Sequence, residues 1–186
     1  LTKVFQNKGY QIIGFTHTKN KKVLNTNGPT EWVYWECGKE YLLKEYLKKI
    51  DILILNHGIY EQDPKNSDFE KALTVNALSK LKILNLFKEI AFQHENEIYP
   101  KEIWINTSEA EILPALSPSY EISKSLIGSL VTFQNNFLSE NDRKKLFIRK
   151  IIIGPFKSEL NPIGIMDPNI VAFLIFYISK IKLNLI

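Results

Sequence analysis

The run Asp51-Ile-Leu-Ile-Leu55 constrains the fold of this chain most. Its consecutive apolar residues bury both faces of any strand made from them, and it stops at Asn56-His57-Gly58. Strands buried on both faces belong to parallel sheets covered by helices. The flanking sequence agrees. Tyr10–Phe15 is β-rich and apolar, Glu31–Glu36 alternates and is aromatic, and Glu102–Asn106 and Leu146–Ile153 are further strand-like runs, the last stopped by Gly154-Pro155. Helical spacing fills the intervals: Leu42, Leu43, Tyr46 and Leu47 within Lys39–Lys49, and Phe69, Leu73, Asn76, Ala77, Leu84 and Phe87 within Ser67–Phe92. Pro118–Phe137 follows Ser117 as its N-cap, and Asn169–Lys180 follows Asp167-Pro168. Leu1–Lys8 reads as the end of an amphipathic helix closed by Gly9. Lys19–Thr30 and Glu109–Ser117 read as loops. This β-α alternation predicts an α/β fold, a doubly wound parallel sheet flanked by helices, with ligands at the carboxyl ends of the strands.

Composition narrows the function. A length of 186 residues is room for one domain. With 45% hydrophobic and 24% charged residues the chain is a folded one. A single cysteine, Cys37, excludes a disulfide framework and a cysteine-based zinc site, and His17, His57 and His94 are too scattered for a local metal motif. The net charge of +4 is too small and dispersed for nucleic acid. Ile170–Ile178 is apolar throughout, but its nine residues are under half a bilayer span, so a helix packed on the sheet is expected. The chain opens at Leu1 inside a helix and closes on Leu183–Ile186, which reads as the start of a strand. We therefore expect a single incomplete domain over residues 1–186.

Chemistry concentrates at the predicted strand ends. Tyr120 and Lys124 stand at i and i+4 of a helix and share a face. An ammonium beside a phenol favours the phenolate, and a tyrosine tuned this way can protonate a carbonyl oxygen or take a proton from an alcohol. The motif alone is weak, because with 8 tyrosines about one chance match is expected. Context strengthens it. Ser108 ends a buried strand twelve residues before Tyr120 and can hold the same substrate oxygen. Asn76 lies within an apolar helical stripe, where asparagine is a poor helix former.

In these pieces the sequence resembles the short-chain dehydrogenase/reductase family: Asn56-His57-Gly58-Ile59, Asn76, Ser108, Tyr120-x-x-x-Lys124, and Ile153-Gly154-Pro155-Phe156-Lys157-Ser158 follow the family's order and approximate spacing over nearly the whole chain. Asn106-Thr-Ser-Glu-Ala-Glu111 and Asn161-Pro-Ile-Gly164 look, more narrowly, like the dehydrogenase modules that accompany sterol desaturases. The resemblance implies a Rossmann-like fold and an NAD(P)(H)-dependent enzyme that interconverts a carbonyl and an alcohol. Tyr120 is then the general acid/base. Lys124 lowers its pKa and holds the nicotinamide ribose, Ser108 positions the carbonyl, and Asn76 holds a water behind Lys124. The cofactor crevice it implies is lined by Asn56, His57, Gly58 and Thr107, with Glu36 and Cys37. Ile153, Gly154, Phe156 and Ser158 cover the nicotinamide. Thr107 restores the family's commonest serine-to-tyrosine spacing and is the rival to Ser108, which we favour.

Several positions depart from the family pattern. Leu55, His57 and Ile153 replace its usual Asn, Ala and Pro, and the first strand with its glycine-rich phosphate turn is absent. That strand would lie between Tyr10–Phe15 and Asp51–Leu55, so we expect an N-terminal truncation. The same departures support an alternative, a non-catalytic nucleotide-binding module. Where NAD-users place an acid, this chain has Thr16, His17, Thr18 and Lys19, a set that suits a 2′-phosphate; NADP(H) is expected over NAD(H). A hydrophobic small-molecule substrate is expected from Leu113, Leu116 and Phe156, and no metal is. The resemblance further implies a homo-oligomer through Ser67–Phe92 and Pro118–Phe137 and a cytoplasmic location, while the apolar C-terminus points to weak membrane association.

Overall fold

The apolar run at 51–55 is a buried strand, and the sheet around it is parallel, as expected. In the computed structural model, residues 1–19, 28–60, 66–93, 99–115, 117–158 and 161–180 are described. The expected start of a last strand at Leu183–Ile186, Leu116, and most of the Lys19–Thr30 loop fall outside them. The chain divides into two units, Leu1–Glu36 with Pro155–Ile186, and Cys37–Gly154.

The second unit carries three strands, β3 (Ile52–Leu55), β4 (Lys101–Ser108) and β5 (Leu146–Ile153), in the order β3-β4-β5 and all parallel. Leu55 pairs with Ile105 and Ser108 with Ile153, so the carboxyl ends of the three strands lie along one edge. β4 runs two residues further than expected and takes in Thr107 and Ser108. Helices α3 (Asn66–Leu73) and α4 (Ser79–Gln93) form one long helix broken by a π turn at Thr74–Leu78. Its wider turn carries Asn76 into the interior, with no exposed surface. α4 seats Ile83, Leu84, Phe87 and Ile90 in a core shared with Ile103, Trp104 and Ile105 of β4 and with Ile127 and Val131 of α5 (Pro118–Asn136).

Local signals were read unevenly. The helix expected over Lys39–Lys49 is a 3-10 turn, Glu40–Leu43, followed by α2 (Lys44–Leu47). Ser117 precedes α5 in extended conformation, but its hydroxyl makes no cap; it faces Ser119 Oγ at 3.4 Å, and Pro118 at the first helical position fixes the start. A short helix the sequence reading missed, α6 (Glu140–Arg143), is closed by a capping box between Ser139 and Asp142.

The first unit holds α1 (Thr2–Gln6), the parallel pair β1 (Ile13–Thr16) and β2 (Glu31–Tyr34), and α7 (Pro168–Lys180). Gly9 ends the first helix at φ 85°, as its position predicts. α7 buries Val171, Ala172, Ile175 and Phe176. Phe176 meets Phe5 of α1 edge-on, with ring centroids 5.0 Å apart. The other face of α7, with Ile170, Phe173, Tyr177 and Ile178, is exposed. No described helix is long and apolar enough to cross a membrane.

Candidate active site

Tyr120, Lys124, Ser108 and Asn76 come together in the second unit, at the carboxyl ends of its strands. β4 delivers Ser108 and the first turns of α5 deliver Tyr120, Ser123 and Lys124. Helical spacing puts Lys124 on the Tyr120 face, with its ammonium 5.1 Å from the centre of the phenol ring. Lys124 is only 6% exposed, and burial pushes its pKa down to about 8.

Tyr120 corrects one expectation. Its pKa lies above the ordinary value rather than below it. Burial of the phenol is the main cause; a hydrogen-bonding contact from the Ser108 side chain pulls it part of the way back, and Tyr60 and Glu109 push it up again. Lys124, whose ammonium lies over the ring, is not among the causes of the shift. The phenol partner is Ser108 rather than Thr107. Successive strand residues point to opposite faces, and the Thr107 hydroxyl is buried without a hydrogen-bond partner among the described residues.

Asn76 makes three hydrogen bonds to the protein. Its Nδ2 donates to Ile59 O and to Ser123 Oγ, both at 3.0 Å, and its Oδ1 accepts from Ile59 N at 2.8 Å. It thus clips the segment after β3 to the π turn and to α5. Gly58 packs closely against this clip. A Cβ there would stand 3.0 Å from Asn76 Oδ1 and 3.5 Å from Lys124 Nζ. The Asn106 side chain donates to Asn56 Oδ1 at 2.9 Å, joining the ends of β4 and β3.

Two groups here, Lys80 and Tyr60, escaped sequence reasoning, and His57 was expected beside the cofactor. Lys80 of α4 is 1% exposed and donates to Asn106 O at 2.9 Å. Burial, and then the charge of Lys124, hold its pKa well below the usual lysine range. Its signal was its place four residues after Asn76 in the same helix. His57 falls to a pKa of about 3, through burial first and the charges of Lys80 and Lys124 second, and so stays neutral. Tyr60 packs edge-on against Tyr120, with ring centroids 5.2 Å apart, and its hydroxyl reaches Ala115 O at 3.4 Å.

Glu111 is structural. It accepts from Lys150 Nζ at 2.6 Å, and its carboxyl lies where a Cβ on Gly128 would come within 2.0 Å. That glycine lets the 3-10 turn Glu109–Glu111 settle on α5. Ile153 and Gly154 follow at the end of β5 beside Ser108, and Cys37 is exposed.

The remaining residues expected to touch a cofactor belong to the first unit. Thr16 Oγ1 accepts from Thr18 N at 3.1 Å in a turn at the end of β1, beside His17. Tyr34 donates to Glu36, and Lys19 lies 3.9 Å from Glu36 and 5.1 Å from the Tyr34 ring centre. Phe156 bridges to Met166, and Ser158 Oγ accepts from Asn161 N at 3.1 Å. Gly164 packs on this loop so closely that a Cβ would meet Phe156 O at 2.2 Å. No cluster of metal-ligating residues occurs among the described residues.

No protein-family model matches the chain. It is 42% identical over 145 residues, 77% of its length, to a monoglucosyldiacylglycerol epimerase of Synechocystis sp., and spans 34% of that curated relative. In structure it resembles serine dehydrogenase from Escherichia coli, with a TM-score of 0.77 and 14% identity over 97% of this chain and 84% of the other. It also resembles a short chain dehydrogenase from Burkholderia cenocepacia J2315 in complex with NADP, with a TM-score of 0.69 and 16% identity over 86% and 68% of the two chains. Other solved structures of this shape hold NADP or NAD. The resemblance read from the sequence therefore stands: the chain has the fold of the short-chain dehydrogenases/reductases.

Proposed function

We propose that the protein is a nicotinamide-dependent oxidoreductase that interconverts a carbonyl and an alcohol at Tyr120. The observation that carries this reading is the convergence of Ser108, Tyr120 and Lys124, from the end of β4 and one face of α5, at the edge where folds of this kind take ligands. A nicotinamide, when bound, supplies or accepts the hydride. Every proton falls to the protein. The Tyr120 phenol, protonated at neutral pH, donates to the carbonyl oxygen in reduction and recovers the proton from the alcohol in oxidation. The Ser108 hydroxyl, already against the phenol, holds the same oxygen.

The residues present fit the cofactor. The Lys124 ammonium has no carboxylate partner among the described residues, so its N–H groups are available to ribose hydroxyls. Asn56, Gly58 and Thr107 stand at the adjoining strand ends and would line the same crevice. Thr16, His17, Thr18 and Lys19 at the end of β1 present hydroxyl and basic groups and no carboxylate, a set that suits a 2′-phosphate and favours NADP(H).

The sequence relation to an epimerase favours a specific form of this chemistry. A stereocentre is inverted when an alcohol is oxidised and the carbonyl is then reduced on its other face, so the same phenol works twice with no net redox change. Incubating the protein with a glycosyl diacylglycerol and catalytic amounts of NADP⁺ tests both forms. Epimer formation without accumulated NADPH is expected of the epimerase, and NADPH accumulation of a simple dehydrogenase. Tyr120→Phe should abolish either activity while NADPH still binds. Near-normal turnover in that variant would refute the reading.

A further inference from the structure

We propose that Lys80 is a positioning residue: it holds the end of β4 from the side that β3 leaves open, and so sets where Ser108 stands. This rests on the carbonyl/alcohol reading, in which Ser108 holds the substrate oxygen, and names a residue that serves it.

The strand pairing leaves a place for such a support. β3 pairs with β4 as far as Leu55 and Ile105. β4 then continues through Asn106, Thr107 and Ser108, paired with Ile151, Ile152 and Ile153 of β5 on its other side. Backbone groups of successive strand residues face opposite neighbours. Glu102 N donates to Asp51 O at 2.8 Å, toward β3, and Lys101 N donates to Lys145 O at 3.0 Å, toward β5. By this alternation Asn106 turns its carbonyl toward the β3 side, where the strand has stopped. An unpaired buried carbonyl is costly. Lys80 of α4 fills the gap, with Nζ donating to Asn106 O at 2.9 Å. The bond from Asn106 Nδ2 to Asn56 Oδ1, also 2.9 Å, closes the same side.

The residue type points the same way. Lys80 is 1% exposed and has no other hydrogen bond and no ion pair among the described residues. A buried amine with one acceptor stabilises a core poorly, and an apolar side chain of the same length would pack there at less cost. What lysine adds is a donor on an arm long enough to reach from the helix to the strand end. Ser108 is the next residue of β4 after Asn106 to face the same side. Its position is then fixed by three contacts: the pairing with Ile153, the bond from Ala110 N to its Oγ at 3.3 Å, and the hold of Lys80 on the strand two residues before it.

The test reads Tyr120, the phenol that the Ser108 side chain touches. Its titration is followed by NMR of the tyrosine ring carbons, assigned with Tyr120→Phe, in the wild type, Lys80→Met, Ser108→Ala and the double variant, with circular dichroism confirming that each is folded. The Lys80 amine is already neutral where tyrosines titrate, so Lys80→Met removes a donor and no charge. Lys124, Tyr60 and Glu109, the other groups around the phenol, stay in place. Ser108→Ala should raise the Tyr120 midpoint by about half a unit, the equivalent of one hydrogen bond. Lys80→Met should raise it comparably, and the double variant no further than Ser108→Ala. A merely structural Lys80 would leave the midpoint unmoved. That result, or a Lys80→Met shift that persists in full on the Ser108→Ala background, overturns the proposal. If Lys80→Met does not fold, Lys80→Gln, whose shorter arm weakens the bond to Asn106 O, is judged by the same two results. Hydride transfer with a glycosyl diacylglycerol and NADP⁺ is assayed apart. Coupling of Lys80 to Tyr120 through Ser108 without hydride transfer supports this proposal and refutes the oxidoreductase reading. Hydride transfer without that coupling does the reverse.

Discussion

Replacing Lys124 with methionine should stabilise the protein at neutral pH while removing the activity proposed for it. Lys124 is 6% exposed, and its pKa falls from 10.5 to about 8 through burial alone. At about 1.36 kcal/mol per unit, the folded state holds this ammonium at a cost of about 3 kcal/mol. The contact with the Tyr120 ring at 5.1 Å returns about 1 kcal/mol, and a methionine sulfur near the ring recovers part of that. The net gain for Lys124→Met at pH 7 is then about 2 kcal/mol, or about 4–8 °C in Tm for a chain of this size.

The pH dependence separates this cause from generic repacking. The folded pKa lies below the unfolded one, so between about 8 and 10.5 the folded state binds fewer protons than the unfolded state. Wild-type stability therefore gains from Lys124 as pH rises through that window, and the gain is lost as pH falls through about 8. Lys124→Met lacks this slope. The stability difference between the two proteins, measured by urea unfolding at several pH values from 7 upward, should shrink by about 2 kcal/mol, to near zero, as pH approaches 10.5. Taking the difference cancels most of the titration of other lysines. A variant less stable than wild type at pH 7, or a difference that stays constant with pH, would refute the reasoning.

Two further outcomes follow from the same cluster. Asn76→Leu removes the partner of Ile59 N–H and C=O and the donor to Ser123 Oγ, and should cost about 3 kcal/mol; faster amide hydrogen exchange at Ile59 is the local readout, and unchanged protection there would count against the clip. His57, with its pKa near 3, should show no imidazole titration between pH 5 and 8 by NMR, whereas a midpoint near 6.5 would mean that its ring is solvated.

Much of this was legible because it is periodic or positional. The continuous apolar run at 51–55 called for a strand buried on both faces, and β3 pairs in parallel with β4 as that requires. Gly9 and Pro118 marked a helix end and a helix start through backbone constraints that act locally. Ser108, Tyr120 and Lys124 were found because strand ends and i,i+4 spacing are geometric facts of the chain. The helix at Glu140–Arg143 was missed because four residues give no period, and only its Ser139–Asp142 box betrays it.

What the sequence could not convey is where solvent is excluded, and the chemistry of the site depends on that. A tyrosine and a lysine four residues apart imply a phenol made more acidic by a neighbouring cation, but this holds only if the cation is solvated enough to keep its charge and lies near the hydroxyl. Here both side chains are buried, and the ammonium faces the ring. Each group then shifts toward its neutral form, Tyr120 up and Lys124 down. Lys80 and His57 shift with them, for the same reason and because no acid faces them to favour their charged forms. Lys124, with its pKa at about 8, keeps most of its charge at pH 7, whereas His57 is neutral there. The charge pattern of the site is set by burial first and by neighbouring charges second.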